Sequence, residues 1–239
     1  MFNYNFRGLG YGFDIYYLVL VLPALIIAIF AQIKVKNAFA RNQDKYPLKR
    51  YTGYEVVRNM LDANNLFHIS IEKASGYLTD HYDPRRKVIR LSETVYDDSS
   101  LAAIGVAAHE AGHALQYAKG YFPIRIRSAM VPITNVGSTL SMPLILVGYI
   151  SNMTELVFLG IGLFSLVTVF QLITLPVEFN ASKRALSSLE DLGILDKEEI
   201  TGSKQVLSAA ALTYVASLLV SFMSLARLLL TVNNRNRRR

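Results

Sequence analysis

Residues 101–118 read Leu-Ala-Ala-Ile-Gly-Val-Ala-Ala-His-Glu-Ala-Gly-His-Ala-Leu-Gln-Tyr-Ala, and the preceding Asp97-Asp98-Ser99-Ser100 supplies the acidic and hydroxyl groups that open a helix. Alanine dominates the run and Gly120 follows it, so one helix is predicted from Leu101 to Ala118. His109 and His113 stand four positions apart and project from the same face, one turn from each other. With only 4 His in 239 residues, that spacing is informative. Gly105 and Gly112 each cost a helix interior about 1 kcal/mol relative to alanine, which implies that another segment packs closely there.

Two imidazoles so placed can reach one ion at about 2.0–2.1 Å. Glu110 lies one position beyond the first. It can approach the fourth coordination site without being a ligand and take a proton from water whose acidity a bound zinc has raised. The chemistry that follows is amide hydrolysis. The bland alternative, two surface histidines beside a glutamate on a solvated helix, does not explain the two glycines. The chain has no cysteine, which excludes disulfides, thiolate ligands, iron–sulfur clusters and cysteine nucleophiles. Any metal must use histidine and carboxylate.

Around this helix the chain is 52% hydrophobic and 18% charged with a positive mean hydropathy. That is too apolar for an ordinary water-soluble domain and too charged for a chain buried in lipid throughout. Four apolar runs, 15–33, 130–150, 156–177 and 206–230, are long enough to cross a hydrocarbon core of about 30 Å. The first has Lys34 and Lys36 after it and only Arg7 before it, the reverse of a signal peptide's charge order, so it is expected to be an anchor. Asn135, Ser138, Thr139, Ser141 and Pro143 in the second run point to helix packing rather than to a solute path.

There are 15 Lys and Arg from Lys34 to Arg127, none in the turn Ser151 to Glu155, and 4 from Lys183 to Lys204. Both polar segments are therefore expected on the cytoplasmic face. Four crossings put the basic tail, Asn233 to Arg239, outside, against that rule; the earlier segments are taken to decide. The net charge of +7 fits loops held against an anionic leaflet. The arginine tail has no interleaved aromatics and the chain no nucleic-acid motif, so no nucleic-acid partner is expected.

The segment 34–129 has room for a small folded unit on the membrane surface, joined by the second surface segment 178–205. Thr52-Gly53-Tyr54-Glu55 matches a capping box, followed by Val56, Val57, Met60 and Leu61 at helical spacing and a stop at Asn64-Asn65. His68 to Ile71 alternates, Tyr82-Asp83-Pro84 is turn chemistry, and Lys87 to Ser92 is a second β-like stretch, so a hairpin or small sheet is predicted. Residues 87–92 are a candidate edge strand for pairing with an extended substrate, with an ordinary sheet interior as the alternative.

A catalytic zinc needs a third protein ligand. His68 and His81 precede the motif. Downstream, Leu175-Pro176-Val177-Glu178-Phe179-Asn180-Ala181-Ser182 places a carboxylate where the third run ends, and Gln171, Thr174, Glu178 and Ser182 form a polar stripe that must face protein or water. Glu178 is the expected third ligand, with an ion pair to Lys183 or Arg184 as the alternative. Two spans lie between His113 and Glu178, so both emerge on the same face whichever way the chain is oriented. Ser182, one turn after Glu178, is placed to hydrogen-bond a ligand imidazole. His81, Tyr82 and Arg184 are candidates for oxyanion stabilisation.

His109-Glu110-Ala111-Gly112-His113 and Leu175 to Ser182, with Asp80 to Pro84, Val88 to Ser92 and Ala209 to Ala216, resemble the YugP-type family of membrane neutral zinc metallopeptidases over nearly the whole chain. More distantly, the chain is similar to heat-shock-linked membrane proteases of the HtpX type. That resemblance implies a His, His, Glu zinc site near the cytoplasmic surface; a three-ligand site would hold one zinc per chain, and the expected location is a bacterial plasma membrane. In those relatives an aspartate follows the ligand glutamate by four residues; here that position is Ser182, which bears on how the ligand histidines are oriented.

The expectation is a mainly α integral membrane protein, a single domain spanning 1–239. It has about four transmembrane helices and a small α+β zincin-like membrane-surface unit carrying the HExxH helix. Its expected function is that of a zinc-dependent endopeptidase. Zinc would be held by His109, His113 and Glu178, with Glu110 as general base. Its partners are the lipid bilayer and a polypeptide substrate that is membrane-associated or unfolded. The alternative is a non-catalytic zinc-binding scaffold, which would have no need of Glu110. A transporter is disfavoured because Arg227 is the one charge inside the runs and no repeated halves are visible.

Overall fold

The computed structural model describes residues 14–76 and 79–236; Arg7 and the last three arginines of the tail lie outside the described residues. A π-helical turn, Tyr17–Val21, leads into α1 (Leu22–Asn42). There follow α2 (Gly53–Asp62), β1 (Ser70–Ala74), β2 (His81–Asp83), β3 (Val88–Ser92), α3 (Glu93–Tyr96), α4 (Leu101–Ala118), α5 (Phe122–Ile150), α6 (Thr154–Asp191) and α7 (Ile200–Asn236). Among the described residues four helices are long and apolar enough to cross a membrane. These and the small sheet make a mainly α membrane protein, as the composition predicts.

The four helices outrun the apolar runs that announce them. Helix α6 continues from the expected limit at 177 to Asp191 because Val177, Ala181, Ala185 and Leu189 recur every fourth residue, and all four are buried. Hydropathy marks where apolar composition stops, whereas the helix stops where its buried stripe does. Similarly, α1 runs on through Lys34 and Lys36 to Asn42.

The chain forms two compact units. The first comprises the described residues within Met1–Phe30, Ala129–Leu172 and Val215–Arg239. Its buried core is Ile145, Val157, Ile161, Leu228 and Val232, while Ile26, Ile29, Phe30, Val136 and Leu146 stay exposed, as suits helices whose solvent is lipid. A Cβ on Gly160 would stand 2.7 Å from the Ser141 carbonyl oxygen, the close small-residue packing expected of the second run. Ser138 and Thr139 donate to the Asn135 carbonyl, so their hydroxyls are satisfied inside the helix. Arg227 Nε lies 3.2 Å from Asp14 Oδ1, the Thr231 hydroxyl donates to Asp14 at 3.2 Å, and the guanidinium sits 5.1 Å from the Tyr17 ring centroid. The charge in the fourth span is thus neutralised.

The second unit comprises Ala31–Ser128 and Ile173–Tyr214. Its core joins Val56, Val57, Met60 and Leu61 of α2 to Ile89 and Leu91 of β3, and Ile104, Ala107, Ala108, Ala111 and Leu115 of α4 to Ala185, Leu189 and Leu207. The capping box forms: the Glu55 amide donates to Thr52 Oγ1 and Glu55 Oε2 accepts from the Thr52 amide at 2.8 Å. Helix α4 has the predicted limits, with Ser100 Oγ accepting from the Ala103 amide and Gly120 at φ +65° after its end.

The sheet order is β1-β3-β2, with β1 parallel and β2 antiparallel to β3. Residues 87–92 therefore do not form an edge strand. Val88, Ile89, Leu91 and Ser92 are all buried, so β3 has both faces covered and both edges paired. The edge beside α4 is β2, which ends in a turn where Asp83 accepts from the Arg85 and Arg86 amides.

Candidate metal centre

Helix α4 is alanine-rich because neighbours pack tightly against it on several sides, and its two glycines mark the tightest approaches. A Cβ on Gly112 would stand 2.6 Å from the Ala181 carbonyl oxygen of α6; one on Gly105 would stand 3.2 Å from Ser203 Cβ of α7. The first of these contacts brings the His-bearing face of α4 onto the turn of α6 that carries Glu178 and Ser182. His109 Nε2 lies 3.2 Å and His113 Nε2 3.6 Å from the same carboxylate oxygen, Glu178 Oε2. One ligand atom from each of the three residues lies within 4.8 Å of the others.

These distances fit a metal. Ligand atoms about 2.0–2.1 Å from a tetrahedral zinc stand about 3.3 Å apart, and the two imidazole–carboxylate separations bracket that value. The donor set, two imidazoles and one carboxylate, is that of a site with an open fourth position. Glu178 is buried and His113 nearly so, so without a cation the carboxylate is held by the rings themselves. Burial opposes a charged His113 ring, but contact with Glu178, the negative charges of Glu110 and Glu178 and the bond to Gln116 outweigh it and hold its pKa above the ordinary 6.5.

The other ring nitrogens are also tied. His109 Nδ1 lies 3.1 Å from Ser182 Oγ. His113 Nδ1 lies 3.0 Å from Gln116 Oε1. The Gln116 amide donates through Nε2 to the Val177 carbonyl at 2.8 Å and to Asn180 Oδ1 at 3.1 Å. With both amide hydrogens so engaged, Oε1 is the atom left facing His113, which makes Nδ1 a donor and, in the neutral ring, leaves the lone pair on Nε2. Asn180 Oδ1 also accepts from Arg184 Nε at 2.7 Å, and the Arg184 guanidinium lies 5.9 Å from the centroid of Tyr121. Arg184 thus braces this network.

Glu110 is half-buried and close enough to act electrostatically on His113 and on Tyr214. His81, on the edge strand, is exposed, with Nδ1 2.7 Å from the Thr79 carbonyl oxygen and Nε2 3.5 Å from Arg90 Nη1. Tyr82 packs edge-on against Tyr117 at 5.7 Å, and burial, with the negative charge of Asp83, pushes its phenol up to about 12. Three residues escaped the sequence: Gln116, Arg127 and Tyr214. Arg127 Nη2 lies 3.6 Å from Glu178 Oε1, and the Tyr214 phenol interacts with Glu178, Glu110 and Arg127. Gln116 carries one signal, its place one turn after His113 on a helix with few polar residues.

A family profile described as "Putative neutral zinc metallopeptidase" matches residues 17–233. The chain is 44% identical over 218 residues to the "Putative membrane protease YugP" of Bacillus subtilis (strain 168), covering 91% of this chain and 97% of that protein. No solved structure matches it. The match runs through all four apolar helices and the His–Glu cluster, and the chain belongs to the family described as putative neutral zinc metallopeptidases.

Proposed function

We propose that the protein is a zinc-dependent integral membrane endopeptidase, one functional domain over 1–239 in which His109, His113 and Glu178 hold one zinc per chain. The observation that carries this reading is the meeting of both Nε2 atoms with Glu178 Oε2 at 3.2 and 3.6 Å, with Glu110 beside them. Zinc, when bound, supplies a Lewis acid and makes water at its open position more acidic. Glu110 takes the proton of the attacking water and passes it to the departing amide nitrogen as the carbon–nitrogen bond breaks. Ser182 and Gln116 keep the two rings oriented throughout. An extended substrate backbone can add to β2, the edge strand beside α4. Tyr82, half-buried on that strand, is a phenol donor, and His81 beside it on β2 and Arg184 on α6 are weaker candidates for the oxyanion.

The surface segments and the site are assigned to the cytoplasmic face of a bacterial plasma membrane, on the Lys and Arg excess between the spans. The substrate class is a polypeptide that is unfolded or emerges from the bilayer. Glu110→Gln tests the catalytic claim. Purified variant and parent are each expected to hold about one zinc, while hydrolysis of an unfolded polypeptide falls by about 100-fold or more in the variant. Equal turnover in the two proteins would remove Glu110 from catalysis. Zinc-loaded parent protein that cleaves nothing would favour the scaffold.

A further inference from the structure

The two oxygens of the Glu178 carboxylate face different groups, and the Tyr214 phenol is hydrogen-bonded to the same carboxylate. Oε2 faces the imidazoles of α4 at 3.2 and 3.6 Å, while Oε1 faces Nη2 of Arg127, in the second turn of α5, at 3.6 Å. The Glu178 side chain is only 3% exposed, so Oε1 has no solvent to turn to if that guanidinium is removed. Nor is Arg127 placed for its own hydrogen bonding. Its Nε is buried with no partner among the described residues, a condition few buried polar atoms tolerate. What the guanidinium gains in that position is Oε1.

A carboxylate free to turn can offer both oxygens to one cation, and the second would fill the position that a catalytic site keeps open. We propose that Arg127 is a positioning residue: it holds Oε1 of Glu178 aside, so that Glu178 ligates through Oε2 alone and one coordination position stays available. This rests on His109, His113 and Glu178 being the ligands. Tyr214 hydrogen-bonds the same carboxylate through a phenol but brings no positive charge, so it holds the carboxylate less firmly than a guanidinium does. The contact is a single Nη2–Oε1 approach at 3.6 Å, so the positive charge carries it, and lysine can supply that charge.

The test uses the full chain in detergent with cobalt(II) in place of zinc, because four-coordinate cobalt absorbs visible light more strongly than five-coordinate cobalt. The parent is expected to show the intense four-coordinate bands. Arg127→Gln is expected to lose about half of that intensity, as expansion to five-coordination does, and Arg127→Lys to recover most of it. Should Arg127→Gln take up no cobalt, zinc X-ray absorption of the parent decides: four nitrogen and oxygen neighbours support the proposal, and five or more overturn it. Cobalt-loaded Arg127→Gln with the parental spectrum overturns the role of Arg127 and leaves the ligands standing. A parent chain that takes up neither metal removes the ligand assignment and this proposal with it.

Discussion

Gly112→Ala adds one methyl group where α4 meets α6, and the disturbance can be sized. The new Cβ would lie 2.6 Å from the Ala181 carbonyl oxygen, whereas ordinary contact begins at 3.4 Å, so the helices must part by about 0.8 Å. The obstacle is backbone, which cannot swing aside as a side chain can. Metal sites tolerate ligand displacements of about 0.2 Å, and Glu178 is three residues from Ala181 on the same helix. Zinc affinity is therefore expected to fall by about 10- to 100-fold or more, the range seen when supports around a site are lost. Stability changes less, because overpacking costs about 1–3 kcal/mol and alanine returns about 1 kcal/mol of helix propensity.

Gly105→Ala is the matched control. Its Cβ would meet Ser203 Cβ at 3.2 Å, a milder overlap, with α7 rather than with the helix that carries Glu178. Competition with a chromophoric chelator gives zinc affinity, and thermal melting gives stability, for both variants in the same detergent. If folded Gly112→Ala held zinc within about threefold of the parent, the claim that this contact sets the ligand geometry would fail.

Gln116→Leu keeps the volume but releases His113 Nδ1, and zinc affinity is expected to fall about 10- to 100-fold with little change in melting temperature; an unchanged affinity would show that the ring needs no such support. On the proposed ligand set, zinc would have to displace the proton that Glu110 and Glu178 help His113 to retain, with Arg127 partly neutralising Glu178. In the metal-free chain a folded-state pKa above 6.5 contributes stability that is present below the unfolded value and is lost as pH rises through the folded one. Zinc favours the opposite direction, so the rise in melting temperature on adding zinc should shrink from about pH 8 to about pH 6, beginning above the ordinary histidine pKa. Constant stabilisation across that window would contradict the assigned proton. Asp14→Ala removes an ion-pair partner of Arg227, at a cost of about 1–3 kcal/mol because both groups are partly exposed. Replacing both residues with apolar ones should recover most of it, as read by melting in detergent.

What could be read from the chain was local or periodic. Helix α4 announced both ends, through Ser100 and Gly120, and its histidine spacing is a property of four consecutive peptide units. Glu178 was visible because a carboxylate in an apolar helix stands out, and Thr52 to Glu55 because a capping box is a four-residue device. The central place of β3 was not legible: β1 pairs with it in parallel across intervening chain, and such register depends on contacts that no short window contains. Gln116 and Arg127 were missed for a related reason. A glutamine becomes a support for a ring, or an arginine for a carboxylate, only once another helix has delivered the partner, and neither has a spacing rule of its own.

The grip of Gln116 on the Val177 carbonyl has a kinetic corollary. Because that amide cannot rotate without breaking two bonds to α6, the His113 ring is denied the half-turn that would present the wrong nitrogen. An arriving cation meets a receptor already in its final pose, so uptake should be a single bimolecular event whose observed rate climbs in proportion to ion concentration, with no plateau from a slow internal rearrangement.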